Sequence, residues 1–100
     1  MALIIKLSKR ADIKFDKILD YLLLEYGEES TKIFVKKVYN FLEVLSEFPE
    51  IGTIENREKG IRSFTIIEQI NVFYRIENEK IIILTFFDNR QNPKKKSKII

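Results

Sequence analysis

The apolar period of this chain changes once, near residue 60, from steps of three and four to steps of two, and that switch restricts the fold to helices first and a sheet afterwards. Phe15, Ile18, Leu19, Leu22, Leu23 and Tyr26 form a helical stripe, and Phe34, Val38, Phe41, Leu42 and Leu45 form a second. Ser8 is a suitable N-cap for the first, with Asp12 in its opening turn and Gly27 as a left-handed stop, so the spacing predicts a helix from about Lys9 to Tyr26. Phe48-Pro49 ends the second, because proline disfavours the helical conformation of the residue before it. So short a link at Gly27 predicts an antiparallel helix hairpin, whose Leu and Phe stripes read as core.

Beyond the polar stretch Thr53 to Gly60, expected as a loop, Ile61 to Ile67, Ile70 to Glu77 and Lys80 to Phe87 are β-branched and aromatic runs separated by two-residue gaps. They predict an antiparallel meander. With the apolar run Ala2 to Leu7 as a first strand, the order is β-α-α-β-β-β, an α+β domain over residues 1–100 in which the hairpin covers one sheet face, with a basic tail at about 91–100. Strict alternation places Val72, Tyr74 and Ile76 on one side of the middle strand and Phe73 on the other, and sets Ile81, Ile83, Thr85 and Phe87 together on one face of the last strand. Both faces are then apolar. Either Phe73, Ile81, Ile83 and Phe87 expose a patch that a partner covers, or the loop and tail fold over it.

Charge and residue usage narrow the chemistry. The formal net charge is +3, but residues 1–87 hold 13 Lys and Arg against 14 Asp and Glu, so the basic character belongs to residues 88–100, where Arg90, Lys94, Lys95, Lys96 and Lys98 face Asp88 alone. Such an end is either a solvated terminus or a contact for phosphates or an acidic partner. The absence of His and Cys excludes zinc hydrolase, Ser-His-Asp and Cys-His chemistry. Three glycines, Gly27, Gly52 and Gly60, cannot build a phosphate loop or a dinucleotide fingerprint. No apolar run approaches the ~18–20 residues of a membrane helix, so a soluble cytoplasmic protein without membrane contact is expected. What remains is arginine: Arg62, Arg75 and Arg90 lie near strand ends that antiparallel pairing can bring together, where they would suit phosphate or an acidic segment. Glu68, Glu77 and Glu79 offer each of them the alternative of a surface ion pair.

Taken in order, ALIIKLS, the helix hairpin, FPEIG, IRSF, VFYRIENEKIIIL and FFDNRQNP resemble the RelE/ParE toxins of bacterial type II toxin–antitoxin systems over nearly the whole chain. The resemblance implies a small cytoplasmic growth inhibitor that uses no cofactor and no metal and is neutralised by a cognate antitoxin, for which the Phe73, Ile81, Ile83, Phe87 patch is the expected seat. RelE-like members cut messenger RNA on the ribosome with basic residues on the sheet and often a terminal Tyr or His. At those positions this chain has Arg62, Phe64, Asn71 and Arg90, followed by Lys94, Lys95 and Lys96 rather than Tyr or His. Arg62 and Arg90 are therefore the candidate catalytic residues for RNA cleavage, without an evident general base. ParE-like members keep the fold without the nuclease residues and act on DNA gyrase or another topoisomerase by protein contact. This chain is closer to them, and Arg62, Arg75, Arg90, Lys94, Lys95 and Lys96 are its candidate target-binding residues. A non-toxic binding module of the same fold is the third reading.

Overall fold

The computed structural model describes residues 2–91 and 93–100. Strand β1 (Ile4–Leu7) leads into Ser8, whose hydroxyl accepts the Ala11 N–H at 3.0 Å and caps helix α1 (Lys9–Glu47). At Gly27 the backbone leaves the helical region (φ 87°, ψ −179°), a conformation open in practice to glycine alone, and α1 turns back on itself. The two arms, residues 9–26 and 28–47, lie side by side, with the Phe15 and Phe34 rings 6.2 Å apart across the hairpin. At the far end Phe48, held out of the helix by Pro49, still donates its N–H to the Val44 carbonyl at 2.8 Å.

Strands β2 (Thr53–Asn56), β3 (Ile61–Ile67), β4 (Ile70–Glu77) and β5 (Lys80–Asp88) complete a five-stranded sheet in the order β1-β5-β4-β3-β2. β1 runs parallel to β5, and every other neighbour is antiparallel. A one-turn helix α2 (Pro93–Ser97) follows. The part of the expected loop that forms β2 is thus a correction: TIEN carries no apolar alternation because it is an edge strand, paired on one side only and with two of its four residues exposed. The turn after it closes with Gly60 at φ 69°.

The face assignment of the last strand also needs correction, and its cause is a β-bulge. Phe73 pairs with Thr85 but Tyr74 pairs with Ile83, so Leu84 is an extra residue and the alternation of β5 reverses across it. Ile81, Ile83 and Phe86 consequently face the helices beside Val72 and Tyr74, in the main core with Phe34, Val38, Phe41 and Leu45. The bulge is used as a docking point: Ser8 donates its N–H to the Ile83 carbonyl (3.0 Å) and its hydroxyl to the Leu84 carbonyl (2.8 Å). A single serine therefore caps the helix and fixes it to the sheet.

Phe73 and Phe87 remain on the opposite face, 6.2 Å apart with Ile61, and the tail covers them: Ile99 and Ile100 pack on this second cluster, and the Asn56 amide donates to the Ile100 carbonyl at 2.5 Å. Phe73, Ile81 and Ile83 are fully buried and Phe87 nearly so, hence the four residues do not form an exposed patch. The tail thus covers Phe73 and Phe87, whereas Ile81 and Ile83 are buried beneath the helices on the other face.

Candidate functional site

The three arginines do not converge. Arg75 pairs with Ile61 and Arg62 with Tyr74, so the two are one register step apart and point to opposite faces of the same sheet end. Arg90 follows Asp88, which pairs with Ile70 at the other end of β4, about 14 to 17 Å from the level of Arg62 and Arg75 at ~3.4 Å per residue. Each is also already engaged. Arg62 donates from Nη1 to the carbonyls of Glu50 (3.0 Å) and Gly52 (2.9 Å), tying the turn after α1 to the sheet. Arg75 forms an ion pair with Glu77 at 2.6 Å. Of the other two sheet positions singled out from the sequence, Phe64 stacks on Phe41 with centroids 4.5 Å apart, and Asn71 accepts from Thr65 and Asn89. Lys94, Lys95 and Lys96 lie in α2, away from the buried core.

Arg90 does line a cavity, of about 210 Å³, between the first helical arm and the ends of β3, β4 and β5. The placement begins with Asn89, whose N–H donates to the Gln69 carbonyl (2.7 Å) and whose amide donates to the Glu68 carbonyl (3.1 Å), clamping the chain after β5 onto the β3–β4 turn. Asp88 then grips the Arg90 guanidinium through Nε (3.0 Å) and Nη2 (2.6 Å). The Arg90 Nη1 donates to the Tyr21 hydroxyl (3.2 Å), and the guanidinium carbon lies 5.2 Å from that ring's centroid. Tyr26 packs edge-on to Tyr21 at 6.1 Å. Ile18, Leu22, Ile67, Ile70 and Phe86 form an apolar floor, and Lys14, Lys17 and Gln91 stand on the rim with the tyrosines.

The hydrogen bond from Arg90 holds the Asp88 carboxyl below its ordinary range, partly opposed by burial. Arg90 is held above the usual guanidinium value, first by its hydrogen bond to Asp88 and then by that to Tyr21. Tyr26 is raised, chiefly by the neighbouring Tyr21 hydroxyl. Asp88 is thereby a weaker base, and Arg90 and Tyr26 weaker acids, than the free side chains. With Lys14, Lys17 and Arg90 against Asp88, an apolar floor and two phenols, the cavity suits an apolar group that carries a carboxylate or another anion. Sequence reasoning named Arg90 but missed Tyr21, Tyr26 and Asp88. The DNR tripeptide was a signal for the pair, since an Asp two residues before an Arg beyond a strand end is within reach of it.

Among the described residues no group of three His, Cys, Asp or Glu side chains could hold a metal ion, and no helix is long and apolar enough to cross a membrane.

This order of elements, a helix hairpin on one face of a mixed five-stranded sheet, is the fold of RelE/ParE-type toxins. It superposes on the chromosomal ParDE toxin–antitoxin system of P. aeruginosa (TM-score 0.73, 18% identity, 87% of this chain and 96% of that one). It also matches the toxin–antitoxin complex RelBE2 of Mycobacterium tuberculosis (TM-score 0.62, 19% identity, 88% and 99%) and the YoeB dimer of Staphylococcus aureus (TM-score 0.59, 19% identity, 87% and 97%). No curated protein matches the chain. Residues 5–93 match the family described as ParE toxin of type II toxin-antitoxin system, parDE, and the chain belongs to that family.

Proposed function

We propose that this protein acts as a ParE-like toxin in the cytoplasm, arresting growth by binding a protein target such as DNA gyrase or another topoisomerase, and that a cognate antitoxin neutralises it. The observation that carries this reading is the state of the arginines. RNA cleavage through the 2′-hydroxyl needs cations gathered around one phosphate and a group to take the proton. Here Arg62 is spent on backbone carbonyls, Arg75 on Glu77 and Arg90 on Asp88, at opposite ends and faces of the sheet. Arg90 instead edges a cavity with an apolar floor, which is how a protein surface takes an anchoring side chain.

The test is induced expression followed by two readouts on the same cells, messenger RNA cleavage mapping and detection of DNA breaks and plasmid supercoiling. Growth arrest with intact RNA and damaged or relaxed DNA supports the reading, and RNA cut at codon boundaries replaces it with a RelE-like nuclease. Unimpaired growth leaves a non-toxic binding module.

A further inference from the structure

A guanidinium carries five N–H donors, and at Arg90 three are engaged: Asp88 takes Nε and one on Nη2, and Tyr21 takes one on Nη1. Among the described residues the other two, one on each terminal nitrogen, have no partner, and the side chain stands half exposed on the cavity lining. Two donors on neighbouring nitrogens match the two oxygens of a carboxylate. Asp88 and Tyr21 already hold the guanidinium in place, so little side-chain freedom is lost when an anion arrives. Lys14 and Lys17, three residues apart on one face of the first arm, line the same cavity. Asp88, paired with Arg90, is the one acid on the lining among the described residues. This excess of cations is local, because residues 1–87 as a whole hold slightly more acid than base.

The floor selects what the anion is attached to. Ile18, Leu22, Ile67, Ile70 and Phe86 offer no side-chain donor or acceptor, so a nucleobase seated there would leave its polar edge unpaired, whereas a plain aromatic ring would not. Tyr21 and Tyr26, packed edge-on, add aromatic faces at the wall. An apolar cavity of about 150 Å³ admits a benzene ring, so about 210 Å³ holds one ring with little to spare. Sites for free ligands and cofactors run to ~300–1,000 Å³, so the ring that fits here is the tip of a larger molecule.

We infer that the cavity takes an aromatic side chain of the protein target with an Asp or Glu beside it, the ring on the apolar floor and the carboxylate on Arg90 and the two lysines. Such an aromatic–acidic pair is the anchor of the protein contact proposed above, on which it rests.

The blocked dipeptide acetyl-Phe-Asp-amide is titrated into the isotope-labelled full chain, beside acetyl-Phe-Asn-amide, acetyl-Ala-Asp-amide and phenyl phosphate. Amide shifts centred on residues 14–26, 67–70 and 86–91, with both altered dipeptides about fivefold or more weaker at low salt, support the inference. Arg90→Gln should weaken the Phe-Asp dipeptide by a similar factor and abolish its advantage over Phe-Asn, while its amide spectrum shows that the fold is kept. Equal affinity for Phe-Asp and Phe-Asn, tighter binding of phenyl phosphate, or shifts centred elsewhere in the chain would each overturn it. In a gyrase supercoiling assay, excess Phe-Asp dipeptide should relieve the inhibition caused by the protein. Inhibition that persists with the cavity saturated overturns the inference and leaves the proposed target standing. Gyrase that is never inhibited refutes that target, and the titration still decides which ligand the cavity takes.

Discussion

Tyr74 is the most heavily used polar group in the interior, and its removal has a calculable consequence. Its hydroxyl donates to the Pro49 carbonyl (2.8 Å) and accepts the Gly52 N–H (2.8 Å), anchoring the turn that joins the helix hairpin to the sheet. In Tyr74→Phe the buried Gly52 N–H loses its acceptor, at about 1–3 kcal/mol, and the half-buried Pro49 carbonyl adds a smaller cost. A total of roughly 2–4 kcal/mol lowers the melting temperature by about 10 °C or more in a domain of this size. Gly52→Ala strikes the same place differently, because a Cβ there would lie 2.6 Å from the Tyr74 hydroxyl and 2.7 Å from the Ser63 carbonyl. Deleting the hydroxyl relieves the first clash and leaves the second, together with the ring Cε1 at 2.8 Å. The double variant should therefore be less destabilised than the sum of the singles by about 1 kcal/mol, measured by urea unfolding followed by circular dichroism. Burial also pushes the Tyr74 phenol above its ordinary value, against the opposing Gly52 N–H and Arg62. The folded state thus keeps the proton longer than the unfolded one, so this contribution is complete below about pH 10 and is lost as pH rises through the folded value. The fall in stability at alkaline pH should be shallower in Tyr74→Phe than in the parent. A cost below about 0.5 kcal/mol, or a cycle that closes additively, would refute the network as described.

Two further perturbations address the hinge and the tail. Gly27 has nothing within 4 Å of the place a Cβ would occupy, so Gly27→Ala isolates backbone strain and should cost about 1–3 kcal/mol in the same unfolding experiment. Ile99→Asp with Ile100→Asp should lift the tail from Ile61, Phe73 and Phe87 and raise the binding of a hydrophobic dye, whereas unchanged dye binding would show that the tail does not shield them.

The sequence made the helix hairpin and the three long strands legible because each repeats its apolar period over several residues and ends at Gly27, Pro49 or a two-residue turn. β2 was hidden because an edge strand with two exposed residues needs no apolar alternation. The faces of β5 were misread for a different reason: nothing in KIIILTFFD marks Leu84 as the bulged residue, since every neighbour is apolar and either register buries hydrophobic side chains. That one-residue slip also produced the expectation of an exposed patch at Ile81 and Ile83. The arginines were found, but their pairing was not. Arg62 is satisfied by main-chain carbonyls 10 and 12 residues earlier, and Tyr21 meets Arg90 across 69 residues, contacts that local spacing does not encode.

The central claim, action by protein contact through the Arg90 cavity, is tested most directly with the purified protein. It is added to DNA gyrase in a supercoiling assay and, separately, to ribosomes programmed with messenger RNA. The account predicts inhibited supercoiling that weakens about tenfold or more on Arg90→Ala, as expected for an interface anchor, with the messenger RNA intact. Cleaved messenger RNA with unaffected gyrase would contradict it.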